Sequence, residues 1–188
     1  MSLRFPIALT LAGAFFLAPS AGAFDSVTLP VAAQGTLQAA FSPWDNVEGI
    51  ITGAIDGAKK QVLVQAYLLT SKRIAATLIA AKQRGVDVRV LADARQHFIV
   101  GSSRLPELAS AGVGIWLETA YENAHNKVII IDADTPDAAV ITGSFNFTWT
   151  AQQKNAENVL VIRNNPPLAS RYALNWKRHQ QGATAYKK

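Results

Sequence analysis

His125-Asn126-Lys127-Val128-Ile129-Ile130-Ile131-Asp132 sets an imidazole and an ammonium at the head of four consecutive β-branched residues. β-Branched side chains are stiff at χ1 and pack well on a pleated surface, so the run reads as a buried strand over His125–Ile131. In a strand residues i and i+2 point to one face, which puts His125 and Lys127 together near its start. Neither group suits a core, because each needs a partner or water when buried. Asp132 stands at an odd offset from His125 and faces the other side. It reads as a structural residue bracing the turn, not as a phosphate contact.

That turn, 132–137, contains Pro136. A strand over Ala139–Thr142 then runs into Gly143-Ser144-Phe145-Asn146. Ser144 and Asn146 are again i and i+2, and both can donate to anionic oxygens. Gly143 permits close backbone approach. Paired as a hairpin, the two strands would converge a basic face and a donor face on one anion. Further on, Glu157 puts a carboxylate at the start of a strand, Glu157–Arg163.

Upstream, a strand over Thr36–Phe41 precedes a helix capped by Asp45 or Asn46, with Val47, Ile50, Ile51, Ala54, Ile55 and Ala58 at helical spacing. A strand Gln61–Tyr67 leads to a helix capped by Ser71 and ended by Gly85. Then come a strand Val86–Ala92, a loop Asp93–Ser103, a helix Leu105–Ala111 and a strand Val113–Leu117. Helices are expected over Thr148–Lys154 and, after a loop at 164–167, over Leu168–Gln181. Strands that first alternate with helices and then pair by a short turn predict an α/β fold, a mixed β-sheet flanked by helices on both faces.

Composition narrows the function. Hydrophobic residues make up 49% and charged ones 16% of the 188, which excludes a disordered chain. The absence of cysteine excludes a disulfide scaffold, thiolate metal sites and a cysteine nucleophile. A formal charge of +5 suits a polyanionic partner. Residues 1–23 carry Arg4, an apolar stretch from Phe5 to Leu17 and Ala21-Gly22-Ala23, the pattern of a secretory signal peptide. The apolar run is shorter than the ~20 residues a membrane span needs. The expectation is a periplasmic or secreted protein with one domain, 24–188, and no stable membrane insertion.

Taken together, the HxKxxxxD pattern of His125, Lys127 and Asp132 and the GSxN pattern of Gly143, Ser144 and Asn146 resemble the signature of the phospholipase D superfamily. Phe147-Thr148 and the run Lys154-Asn155-Ala156-Glu157-Asn158 are similar to its small, single-motif bacterial endonucleases of the Nuc type. The stretch between Asp132 and Gly143 is longer than is usual there, and the Asp134–Asp137 turn accounts for the addition. The resemblance implies a phospholipase D/nuclease-like fold and phosphodiester cleavage through a phosphohistidine, with no metal and no cofactor. It makes His125 the nucleophile, with Glu157 holding its second nitrogen. Lys127 and Asn146 would bind the non-bridging oxygens and Ser144 would support them. A fixed ammonium would serve where other nucleases use a metal.

The reaction also needs an acid for the leaving oxygen. Superfamily members with two motifs bring two histidines to one site, whereas this chain has three histidines and one HxK pattern. The implied solution is a homodimer with its two-fold axis through the site. The alternative is a monomer that uses His97, in its loop beside Arg95 and Gln96. His179 lacks the HxK context, Lys177 and Arg178 read as a solvated helix face, and the tryptophans and Phe145 read as core or site wall rather than base-stacking platforms. Three functions compete: an exported, metal-independent endonuclease acting on DNA, with RNA open; a lipid phosphodiesterase of the phospholipase D type; and a catalytically silent nucleic-acid-binding protein.

Overall fold

Eight strands form one mixed sheet in the order β1-β7-β6-β5-β2-β3-β4-β8. The computed structural model describes residues 29–187, and every element lies in a unit that begins at Val31. The expected leader, residues 1–23, falls outside the described residues. Along the chain the elements are β1 (Thr36–Ser42), α1 (Val47–Asp56), β2 (Gln61–Ala66), α2 (Lys72–Gln83), β3 (Asp87–Asp93), α3 (Ala94–Ile99) and α4 (Leu105–Ser110). Then follow β4 (Gly114–Glu118), β5 (Lys127–Ile131), β6 (Ala139–Gly143), α5 (Trp149–Gln153), β7 (Glu157–Arg163), α6 (Pro166–Gln181) and β8 (Thr184–Ala185).

Strands β2, β3 and β4 are parallel, as helical crossovers require. From β5 onward the neighbours are antiparallel: β5 on β2, β6 on β5, β7 on β6, β1 on β7 and β8 on β4. Helices α1, α2, α4 and α5 cover one face, where Ile51, Ile55, Ile74, Leu78, Leu105 and Leu108 pack on Val64, Val90, Ile129 and Val161. Helix α6 covers the other, with Ala169, Ala173 and Trp176 on Leu63, Leu91, Val128, Ile130, Val140 and Ile162. Strand β5 is therefore buried on both faces, which is why it reads as continuous Val/Ile. The expected mixed sheet with helices on both faces is the observed one.

Side-chain caps set the helix starts. Asn46 accepts from Gly49 N and Ser71 from Ile74 N. Of the two candidates for the first cap, Asn46 takes the role, and Asp45 instead accepts from Phe41 N at 2.8 Å. Gly85, with φ +90°, follows Arg84 and ends α2 in the left-handed region.

Three readings are corrected. The 93–103 segment contains helix α3, because the Asp93 carboxylate accepts from Gln96 N and caps it. The last helix starts at Pro166, not Leu168. Asn165 caps it, and proline at the first helical position lacks only an N–H that would have no partner there. Strand β5 starts at Lys127, so His125 lies just outside it.

Asp132 is buried at the far end of β5 from His125. Its carboxylate accepts from Lys59 N (2.8 Å), Lys60 N (2.7 Å) and Gln61 N (2.8 Å), while its own N–H donates to Gln61 O. It thus ties the entry of β2 to the exit of β5. Charge-assisted bonds of this kind are worth about 1.5–3 kcal/mol each, and a carboxamide keeps the shape without the charge. Asp132→Asn is expected to lower unfolding free energy by about 1–3 kcal/mol in urea melts, while the folded protein keeps its phosphodiesterase rate. Loss of rate without loss of stability would move Asp132 into the site.

Candidate active site

Registers bring the site to one edge of the sheet. Lys127 at the start of β5 lies opposite Ala66 at the end of β2. Gly143 at the end of β6 lies opposite Val159, two residues into β7 from Glu157. Ligand sites in α/β sheets form at the carboxyl ends of the parallel strands, and this is that edge.

The segment before β5 is held at three points. Tyr67 N donates to Asn126 O (2.9 Å), extending the β2–β5 ladder. Ala124 N donates to the Asp93 carboxylate (2.8 Å), which is buried and also caps α3. The Tyr67 hydroxyl reaches Asn123 Oδ1 at 3.4 Å. His125 emerges from this frame into solvent, its ring 4.3 Å from the Tyr67 ring and tilted 59° to it.

Lys127 is only 6% exposed. Its Nζ donates to His125 O (2.8 Å), contacts His125 Nδ1 (3.0 Å) and lies 4.9 Å from the centre of the Tyr67 ring. Burial lowers the Lys127 pKa from the ordinary lysine value, and the Glu157 carboxylate opposes that shift. An ammonium carries donors only, so Nδ1 accepts from it and the neutral ring keeps its proton on Nε2.

Ser144 is locked to β7. Its N–H donates to Asn158 O (3.1 Å), and its Oγ accepts from Asn158 N (3.0 Å) and Asn158 Nδ2 (3.3 Å), which leaves the hydroxyl proton to donate to an anion. Gly143 permits this approach, since a Cβ there would stand 2.2 Å from Asn158 O. Asn146 Oδ1 is buried with no partner. Glu157 accepts from Asn155 Nδ2 (2.9 Å). His125, Lys127, Gly143, Ser144, Asn146 and Glu157 line one depression of about 330 Å3. The five residues expected from sequence as catalytic are thus brought together, with a buried cation on its floor and hydroxyl and carboxamide groups beside it. Among the described residues no group of three or more His, Asp or Glu side chains could hold a metal ion.

Several expectations change. Glu157 does not hold the second nitrogen of His125: Nδ1 faces Lys127, and Glu157 pairs with Asn155. The i, i+2 spacing put the imidazole and the ammonium within bonding distance of each other, and the ammonium took the ring nitrogen. His97 does not line the depression. It sits on α3 with Nδ1 2.9 Å from Ser103 Oγ, in a separate cavity with Asp93 and Val100, and burial lowers its pKa. His179 also lies outside the depression, its Nδ1 meeting the buried Glu118 carboxylate at 2.5 Å. Phe145 and Trp176 are core, with Trp116 edge-on against Trp176, but Trp44 and Trp149 stand in solvent. Tyr67 was missed, and its signal was an aromatic at the carboxyl end of a parallel strand beside the HxK strand.

The family model described as "Cardiolipin synthase, PLD-like domain" matches residues 51–179, more than half of the chain. The chain belongs to the phospholipase D superfamily. It is 38% identical over 160 residues to "Phospholipase D" of Rickettsia felis, covering 85% of this chain and 77% of that one. Among solved structures, the phospholipase D family member Nuc of Salmonella typhimurium superposes with a TM-score of 0.75 at 34% identity, over 82% of this chain and all of that one. NucT of Helicobacter pylori, at 18% identity and a TM-score of 0.72, shares the fold over 81% of this chain and all of its own. The protein is a phosphodiesterase of this superfamily, of the Nuc type.

In this phosphodiesterase Lys127 can hold an anion only while protonated. Its pKa is lowered by burial and raised by Glu157. Glu157→Gln removes the raising influence, so the charge on Lys127 is lost at lower pH. The alkaline limb of kcat/KM is expected to move to lower pH in Glu157→Gln, read from a pH profile on a small phosphodiester. A limb that stays in place would show that Lys127 does not set it.

Proposed function

We propose that the protein is an exported, metal-independent endonuclease that cuts DNA through a covalent phosphohistidine, at a site completed by a second copy of the chain. The observation that carries this is the convergence of His125, Lys127, Ser144, Asn146 and Glu157 on one open depression with a buried cation. An incoming phosphate competes for the Lys127 ammonium and draws it from Nδ1. The ring proton can then sit on Nδ1, and Nε2 is left with its lone pair. Nε2 attacks phosphorus and the bond to the leaving oxygen breaks. Lys127, Asn146 and Ser144 hold the charge that develops on the non-bridging oxygens. The leaving oxygen takes its proton from His125 of the partner subunit. That imidazole then accepts a proton from water, whose oxygen attacks phosphorus and breaks the P–N bond.

Nucleic acid is favoured by the basic charge, by the openness of the depression to a polymer and by the likeness to Nuc, over 82% of this chain. Binding through backbone charge weakens with salt. The homodimer follows from the reaction's need for a second histidine that the described chain does not bring to the depression. Export rests on the leader-like residues 1–23; no helix among the described residues is long and apolar enough to cross a membrane. A second reading, a lipid phosphodiesterase, is supported by the name of the Rickettsia relative.

The test is to incubate the protein with plasmid DNA, single-stranded DNA, RNA and phosphatidylcholine vesicles in excess EDTA, beside His125→Ala. Nucleic-acid cleavage is expected in EDTA and lost in the variant, by active protein of dimeric mass in sedimentation. Lipid hydrolysis with intact nucleic acid would favour the second reading. Binding without turnover of either would make it a silent binding protein.

A further inference from the structure

Two tryptophans stand in solvent on segments that adjoin the site. Trp149, the first residue of α5, is 59% exposed, and Trp44, in the turn after β1, is 82% exposed. Each indole forgoes the gain from burying one of the largest apolar side chains. Their supports are not loose. Ser42 Oγ contacts Ala151 O (2.7 Å) and Asn155 O (3.2 Å), Glu48 N donates to Gln152 Oε1 (2.8 Å) and Gln152 Nε2 donates to Asp45 O (2.9 Å). These bonds stitch the 42–48 turn to α5 and hold both indoles on one rigid base. That base continues into the site: Ser42 lies opposite Glu157 in the β1–β7 register, and Asn146 is three residues before Trp149.

The chemistry around the indoles selects the occupant. Lys154 Nζ lies 5.5 Å from the centre of the Trp149 ring, a cation held over an aromatic face. The neighbours Thr150, Gln153 and Asn155 are polar and exposed. Phe41 on β1 is also exposed, but the charge and polar groups around Trp149 are what the core of a subunit seam lacks. A flat exposed ring with a cation beside it suits one unpaired nucleotide, whose base stacks on the indole while its phosphate takes the ammonium. In a duplex the base faces are already covered by their neighbours, so the complementarity exists only for an unpaired strand.

We propose that Trp149 and Lys154, with Trp44 on the same support, form a subsite for an unpaired nucleotide next to the scissile phosphate, which makes single-stranded nucleic acid the preferred substrate. This rests on the endonuclease reading and gives it a substrate class.

The test titrates full-chain protein carrying His125→Ala, so that nothing is cut, with oligothymidylate and with a duplex of equal length. The readouts are tryptophan fluorescence and anisotropy of labelled DNA. The single strand is expected to quench fluorescence and to bind more tightly than the duplex. Adding Trp149→Ala should weaken single-strand binding on the order of tenfold, and adding Trp149→Phe should restore much of it. Lys154→Ala should weaken it and flatten its salt dependence. Leu174→Ala, exposed on α6 at the opposite face, should change nothing. Circular dichroism and melting temperature report whether each variant folds. Equal affinity with and without Trp149, or equal affinity for duplex and single strand, would overturn the subsite. Loss of dimeric mass in Trp149→Ala would also overturn it and assign the tryptophan to a seam between copies. Failure of the parent reading looks different: single-strand binding through Trp149, with no cleavage by protein that retains His125, would sink the endonuclease and leave the subsite standing.

Discussion

A buried ammonium organises the site. Lys127 is almost out of water at the head of a strand whose other residues are wholly apolar. Charge in such a place persists only with partners, and they are few: the His125 carbonyl, the His125 ring, the face of Tyr67 and, through space, Glu157. The first two come from His125, the proposed nucleophile. The Lys127 ammonium is thus internally satisfied, and in the proposed mechanism a phosphate enters by exchanging for the imidazole there. Protonation of the lysine, the tautomer of the histidine and occupation of the depression are coupled through one nitrogen atom.

The rest of the fold holds the strand that presents this nitrogen. Packing on both faces fixes the register of β5, because a slip of one residue would drive Lys127 to the opposite face. At its far end Asp132 collects three backbone N–H groups and fixes where β5 stops relative to β2. At its near end Asp93 and Tyr67 fix how the chain enters. Strand β5 is clamped at both ends by carboxylates that do not line the site, and this is how a residue outside regular structure, His125, is held in place.

Much of this was legible in the sequence because it depends on periodicity and on local bonds. The apolar run of β5, the caps at Asn46 and Ser71 and the glycine after α2 are short-range signals, and each appears where the residues put it. Parity along two strands was enough to bring Lys127, Ser144 and Asn146 to one place. What failed depends on distances between segments remote in the chain. Whether Nδ1 meets Glu157 or Lys127 is decided by where β7 stands relative to the head of β5. That His179 finds the buried Glu118, 61 residues away, has no local signature. Helix α3 was lost because its cap, Asp93, also ends a strand and read as the start of a loop. The two exposed tryptophans were assigned inward on composition alone, and composition carries no direction.

The contact between Gly143 and Asn158 bears on how such a protein changes over generations. Any side chain at 143 would collide with the backbone of β7 and push apart the two strands that carry Ser144 and Glu157. There is no small version of that displacement, so the position offers inheritance a cliff rather than a slope. Gradual divergence is open instead at exposed positions such as Trp44, in the turn after β1, and Trp149, at the start of α5, whose side chains stand in solvent. On the proposed reading, a lineage built on this frame can change what it stacks against quickly while the groups at the head of β5 stay fixed.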